Sequence, residues 1–175
     1  RATLLDEWFG EPERAERQAR RALQTWRQLD DPAEIAHALN GLAGTLWHQG
    51  ELEQAASIYH ESIAAFRAVL GDDTPEAAGP LTNLGSMHLL QGELDRAEQV
   101  YREVLAIEEA QYPDGKSVAL GTTLHLLALV QQQREQFEEA IALERRSLRI
   151  REDVFGGDQW HVALSLTTLG SLYRQ

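Results

Sequence analysis

The chain has 175 residues and a mass of 19.6 kDa, and its 43% apolar and 25% charged content is the balance of one folded, soluble domain rather than a disordered tail. Twenty-eight acidic against sixteen basic side chains leave a formal charge of -12, which repels phosphate backbones and anionic bilayers, so neither nucleic acid nor a membrane surface is expected as a partner. There is no cysteine, which excludes disulfides, thiolate metal sites and cysteine nucleophiles, and no apolar run approaches the roughly 18 to 20 residues needed to cross a bilayer.

The chain begins at Arg1 without an initiator methionine or a signal-peptide pattern and reads as a piece of something longer. Its first predicted helix follows Gly10-Glu11-Pro12-Glu13-Arg14-Ala15 and carries Arg14, Arg17, Arg20 and Arg21 interleaved with Glu13 and Glu16, the pattern of a solvated face. Asp31-Pro32-Ala33-Glu34 then marks a helix start, with a capping aspartate, proline at the first helical position and glutamate three residues after the cap. Leu39, Leu42, Ala43 and Leu46 line one face of that helix at spacings of three and four. His48-Gln49-Gly50 turns the chain, and Leu52, Ala55, Tyr59 and Ile63 line the next helix.

From here the pattern repeats. Leu70-Gly71-Asp72-Asp73 is a turn, and Thr74-Pro75-Glu76 repeats part of the earlier helix start. Leu81-x-x-Leu84-Gly85 and Gly92-Glu93-Leu94-Asp95-Arg96-Ala97 return 42 residues after Leu39-x-x-Leu42-Ala43 and Gly50-Glu51-Leu52-Glu53-Gln54-Ala55. After the turn Tyr112-Pro113-Asp114-Gly115, which holds one extra residue, Leu124-x-x-Leu127-Ala128 and Glu135-Gln136-Phe137-Glu138-Glu139-Ala140 follow at 43. Arg145, Arg146, Arg149 and Arg151, interleaved with Glu144 and Glu152, read as a second solvated face. The turn Phe155-Gly156-Gly157-Asp158 leads to Leu166-x-x-Leu169-Gly170, one more first helix. Small residues at Ala43, Gly85, Ala128 and Gly170 facing Ala55, Ala97 and Ala140 permit close approach of paired helices. Such pairs cannot bury their apolar faces alone and must stack in series.

No residues converge on chemistry. Gly85-Ser86 and Gly170-Ser171 lack the second glycine of a nucleophile elbow. His37 and His48 are separated by roughly 16 Å of helical rise, too far to share a metal ion. No His-Glu-x-x-His occurs, and the acidic turns lack the ligand ladder of a calcium loop. The expectation is no enzyme, no cofactor and no metal.

Leu81-x-x-Leu84-Gly85 followed by Ala97 and Tyr101 resembles the tetratricopeptide repeat family position by position. The 42-residue period and Leu70-Gly71-Asp72-Asp73-Thr74-Pro75 are similar to repeats of the kinesin light chain type. The pattern departs at Glu135 where glycine is expected, at Glu144 in place of an aromatic, and at His88 and Gln131 in place of a large apolar residue. HEAT and armadillo solenoids share the period but lack the paired registers. The resemblance implies an all-α, right-handed superhelical solenoid of antiparallel helix pairs, with a partial copy over 1–31, full copies over 32–74, 75–116 and 117–158, and a lone first helix over 159–175.

The same resemblance implies a non-catalytic scaffold that binds a peptide or protein segment in a concave groove. The groove would be lined by His37, Asn40, Gly44, Trp47 and His48, then Thr82, Asn83, Ser86 and Leu89, then Thr122, His125, Leu129 and Gln132, then Thr167, Ser171 and Arg174. The carboxylate clamp of chaperone-binding members falls on Asn40, Gly44, Asn83, Thr122 and Leu126, and only Asn83 carries the required residue, so chaperone-tail binding is not expected. A regulatory or sensor region of a larger bacterial kinase or transcriptional regulator is the alternative reading. Cytoplasmic placement follows from the family and the lack of cysteine. The uncovered helix around Leu166, Leu169 and Gly170 points to self-association or to continuation of the chain.

Overall fold

Residues 12–156 and 160–175 are described by the structure, a computed structural model; Gly10 and Glu11 of the partial first copy and Gly157 and Asp158 of the last turn lie outside them. Among the described residues the apolar spacings resolve into eight helices: α1 (Pro12–Leu29), α2 (Pro32–Gln49), α3 (Leu52–Leu70), α4 (Ala78–Leu90), α5 (Leu94–Gln111), α6 (Val118–Gln133), α7 (Phe137–Phe155) and α8 (Trp160–Leu172). A short 3-10 turn, Pro75–Ala77, leads into α4, and no strand occurs among the described residues. The helices gather into two compact units, one ending at Asn83 and the other running from Leu84 to Gln175.

Local chemistry explains where the helices start and stop. The Asp31 carboxylate accepts the Glu34 N–H at 3.2 Å, satisfying one of the orphan donors at the start of α2. Thr74 departs from the expected pattern, because its hydroxyl turns to the Glu76 carboxylate and caps no N–H; a 3-10 turn follows instead of a full α-helical start. Forty-three residues on, Ser117 occupies the matching place and does cap, accepting the Leu120 N–H at 3.5 Å.

At the turn inside the first pair, Gly50 takes φ +84, its N–H donates to the Trp47 carbonyl at 2.9 Å and the Glu51 N–H to Leu46 at 3.0 Å. Gly92 closes the second pair in the same way. Glu135 adopts φ +61 and makes the same two bonds in the third, so the turn persists where its glycine is missing, at the steric cost of a side chain in the left-handed region.

In the first unit α2 packs between α1 and α3, burying Leu39, Leu42, Ala43 and Leu46 with Ala55, Tyr59, Ile63 and Phe66. In the second, Ala97, Tyr101, Leu127 and Val130 form one apolar cluster and Leu120, Leu124 and Ile150 another, with Leu105 and Leu143 packed against both. The pairs also share a polar stitch. The Ser62 hydroxyl donates to the Ala36 carbonyl at 2.8 Å, and Ser147, 85 residues on, donates to the Gly121 carbonyl at 2.6 Å. Val104 stands at the matching position between them.

Candidate interaction surface

Of the groove residues expected from the sequence, His37, Asn40, Gly44, Trp47, His48, Thr82 and Asn83 lie in the first unit. Asn40 on α2 and Asn83 on α4 meet side by side, the Asn83 amide donating to the Asn40 side-chain carbonyl at 3.4 Å, and both are half-buried. Gly79 sits one helical turn before Asn83, and a Cβ there would stand 4.0 Å from the Asn40 amide nitrogen, so the two helices run close at this point. His37, one turn before Asn40, is exposed and rests edge-on against Phe66 with ring centroids 4.8 Å apart. Nearby Glu76 has its carboxyl held below the usual range, first by the Thr74 hydroxyl and more weakly by the His37 charge. Trp47 is half-buried and stacks on His48. Thr82 returns its hydroxyl to the Ala78 carbonyl at 2.8 Å, and Gly44 faces the Tyr59 hydroxyl of α3, 3.6 Å from where its Cβ would stand.

The other expected groove residues lie in the second unit. Ser86 pairs with the Tyr101 hydroxyl at 2.9 Å, and His125 Nδ1 lies 2.7 Å from the Glu144 carboxylate, so both polar groups are spent on the second helices of their own pairs. Leu129 is half-buried. Thr122 and Thr167 each bond a carbonyl of their own helix.

Behind these surfaces lies a polar interior that the sequence reading missed. Glu144 and Arg151, expected on a solvated face, are 0% and 2% exposed. Arg151 Nη1 donates to the Ser165 hydroxyl at 2.7 Å and to the His161 carbonyl at 3.3 Å, fixing α8 on α7. Burial lowers the Arg151 pKa and the Glu144 charge works against that shift. Glu108 stands at the matching place one copy earlier and is also buried; burial raises its pKa, and a hydrogen bond from Thr123 partly offsets this. Gln131 donates its amide to Glu98 at 2.9 Å and, more weakly, to Glu139 at 3.4 Å.

The signal was present in the repeat register. Glu144 falls 43 residues after Tyr101 and Arg151 falls 43 after Glu108, so position rather than residue type announced their burial. These groups tie helices together. Among the described residues no cluster of three or more histidine and carboxylate side chains is arranged to hold a metal ion, and no helix is long and apolar enough to cross a membrane.

Comparison with known proteins follows the same geometry. In sequence, no curated protein matches. In structure, the chain superposes with a TM-score of 0.87 on BtubC (BKLC) from P. vanneervenii, at 21% identity, covering 97% of this chain and 68% of that one. A kinesin light chain-like protein of Podosopora anserina with nearly identical TPR-like repeats gives a TM-score of 0.78 at 16% identity, covering 97% and 80%. Identities this low carry the fold alone. The tetratricopeptide repeat model matches residues 34–110 and again 81–153, together well over half of the sequence. Its matches span the three complete helix pairs, and the chain belongs to the tetratricopeptide repeat family, whose fold is that of a protein-interaction scaffold.

Proposed function

We propose that this protein is a non-catalytic, cytoplasmic scaffold that binds an extended peptide or protein segment along the face of its first helices, centred on Asn40 and Asn83. The observation that carries the reading is the pairing of these two amides at the surface of the first unit. Their mutual bond, long at 3.4 Å, uses one donor site of Asn83 and one acceptor site of Asn40. Each primary amide offers two donor and two acceptor sites, the complement of a peptide main chain. His37 and Trp47 on the same helix add an imidazole and apolar surface.

A peptide array followed by fluorescence polarisation on the best binder tests this. Asn40→Ala and Asn83→Ala should each weaken binding at least about tenfold, or about 1.4 kcal/mol, with an unchanged circular dichroism spectrum. Unaltered affinity in both variants overturns the reading. An acidic C-terminal peptide should not bind tightly, since four of the five clamp positions carry other residues; isothermal titration that finds tight binding, lost in Asn83→Ala, would contradict this.

Self-association through α8 completes the proposal. It is supported by Leu166, which keeps 53% of its surface, and Tyr173, which keeps 56%.

A further inference from the structure

The second helix of each complete pair sends one long buried side chain toward its first helix, and the three are met differently. The Ser86 hydroxyl meets that of Tyr101 at 2.9 Å, and His125 Nδ1 meets the Glu144 carboxylate at 2.7 Å. Tyr59 is just as buried, yet its hydroxyl has no partner among the described residues. One missing side chain accounts for this. Gly44 stands 42 residues before Ser86, and a Cβ built on it would find the Tyr59 hydroxyl at 3.6 Å and, beyond its own stretch of helix, nothing else within 4 Å.

The hydroxyl thus points into a notch in α2 with room for a serine side chain. Burial pushes its pKa up to about 12, so at neutral pH it keeps its proton and remains a donor in want of an acceptor. A buried donor left unmet costs free energy that an incoming acceptor recovers. The notch belongs to the candidate surface: His37, Asn40, Gly44 and Trp47 follow at spacings of three, four and three along one face of α2, and Gly44 is half-buried one turn beyond Asn40.

We propose that Gly44 and Tyr59 form a selectivity subsite: a serine or threonine of the bound segment enters the notch and its hydroxyl oxygen accepts the Tyr59 O–H, doing for the first pair what Ser86 does for the second. This rests on the reading that a peptide lies across Asn40 and Asn83, and it names one side chain that such a peptide must carry. The asparagine amides stand at the ends of their side chains, whereas the notch begins at the Gly44 Cα. A main chain held by those amides therefore reaches the Tyr59 hydroxyl only through a side chain of its own. Size and charge narrow the choice. Ser86 shows that a hydroxyl one bond beyond Cβ bridges the gap to a tyrosine at this position. A longer side chain would overfill the notch, and a carboxylate would lose its water for one neutral hydroxyl.

The probe is the fluorescein-labelled peptide selected on the array, titrated into the whole chain by fluorescence polarisation, with thermal unfolding of each variant alongside. Tyr59→Phe deletes only the hydroxyl, and Gly44→Ser fills the notch with the chain's own acceptor. Each should weaken binding about three- to tenfold, the range of one hydrogen bond, while neither lowers the melting temperature and Gly44→Ser raises it. Alanine in place of one serine or threonine of the peptide should cost the same with the unmodified protein and nothing further with Tyr59→Phe. If Asn40→Ala weakens binding while Tyr59→Phe does not, the subsite is overturned and the peptide surface stands. A selected peptide with no serine or threonine whose loss matters overturns the subsite as well, and so does an affinity lost in Gly44→Ser alone, since the added side chain then acts by bulk. If neither the asparagine variants nor Tyr59→Phe alter binding, or the array yields no binder, both readings fall. Should Tyr59→Phe fail to fold, the peptide's alanine series is measured against Gly44→Ser, where the sensitive position must lose its effect; a retained effect overturns the proposal.

Discussion

Tyr101 and Glu144 stand at the same place in the second and third helix pairs, 43 residues apart, and each is fully buried by a different device. In the second pair a glycine lets the ring in: the Cβ that Gly85 lacks would fall 2.7 Å from Tyr101, and the ring's hydroxyl is met by Ser86. Burial still raises the Tyr101 pKa, with the Ser86 bond pulling the other way. In the third pair Ala128 and Leu129 replace Gly85 and Ser86, no ring enters, and a carboxylate takes its place against His125. The repeat therefore prescribes that this position be filled from the second helix; it does not prescribe an aromatic. Burying a carboxylate is costly unless a partner meets it, which is why Glu144 comes with His125.

Removing that partnership should have the largest effect. Glu144→Ala leaves a cavity and strips His125 and Arg151 of their neighbouring negative charge, and it is expected to lower unfolding stability by about 3 to 5 kcal/mol, read from urea denaturation. Glu144→Gln keeps shape and an acceptor and should lose less. A loss below about 1 kcal/mol in the alanine variant would mean that the buried pair contributes little and that the comparison fails.

Gly85→Ala comes next. Alanine occupies the matching position in the first and third pairs, yet here its methyl meets the Tyr101 ring, so overpacking of about 1 to 3 kcal/mol should outweigh the roughly 1 kcal/mol that alanine contributes to helix propensity. A raised melting temperature would show that the ring swings aside freely.

The smallest effect should be a gain. Tyr59 holds the same position in the first pair, but Gly44 stands where Ser86 does, and the buried Tyr59 hydroxyl has no partner among the described residues; burial pushes its pKa up to about 12. Gly44→Ser should place a hydroxyl within reach, raise stability by about 1 kcal/mol and bring the Tyr59 pKa down, as measured by thermal unfolding and ultraviolet-monitored alkaline titration.

Much of this was legible in the residues themselves. Asp31 capped α2 as its spacing predicts, and the leucine and alanine registers became the buried faces of α2, α4 and α6, because helical periodicity and capping are local properties of a few neighbouring residues. The turn at Glu135 formed without its glycine because a few kcal/mol of packing on either side exceeds the cost of one left-handed residue. Arg151 and Glu144 were misread because charge interleaving on a helix looks the same whether water or another helix lies opposite. The candidate surface was legible only in part: Asn40 and Asn83 do come together, but no local pattern announces that Ser86 and His125 turn toward Tyr101 and Glu144.

By itself, then, the sequence determined the helix pairs, their period, the Asp31 cap and the family, since each follows from interactions within some forty residues of chain. Only the tertiary structure decided which polar groups the pairs consume and which they leave at the surface. That choice depends on what stands across a helix interface, where residues such as Arg151 and Ser165, or Asn40 and Asn83, are brought within bonding distance by packing rather than by proximity along the chain.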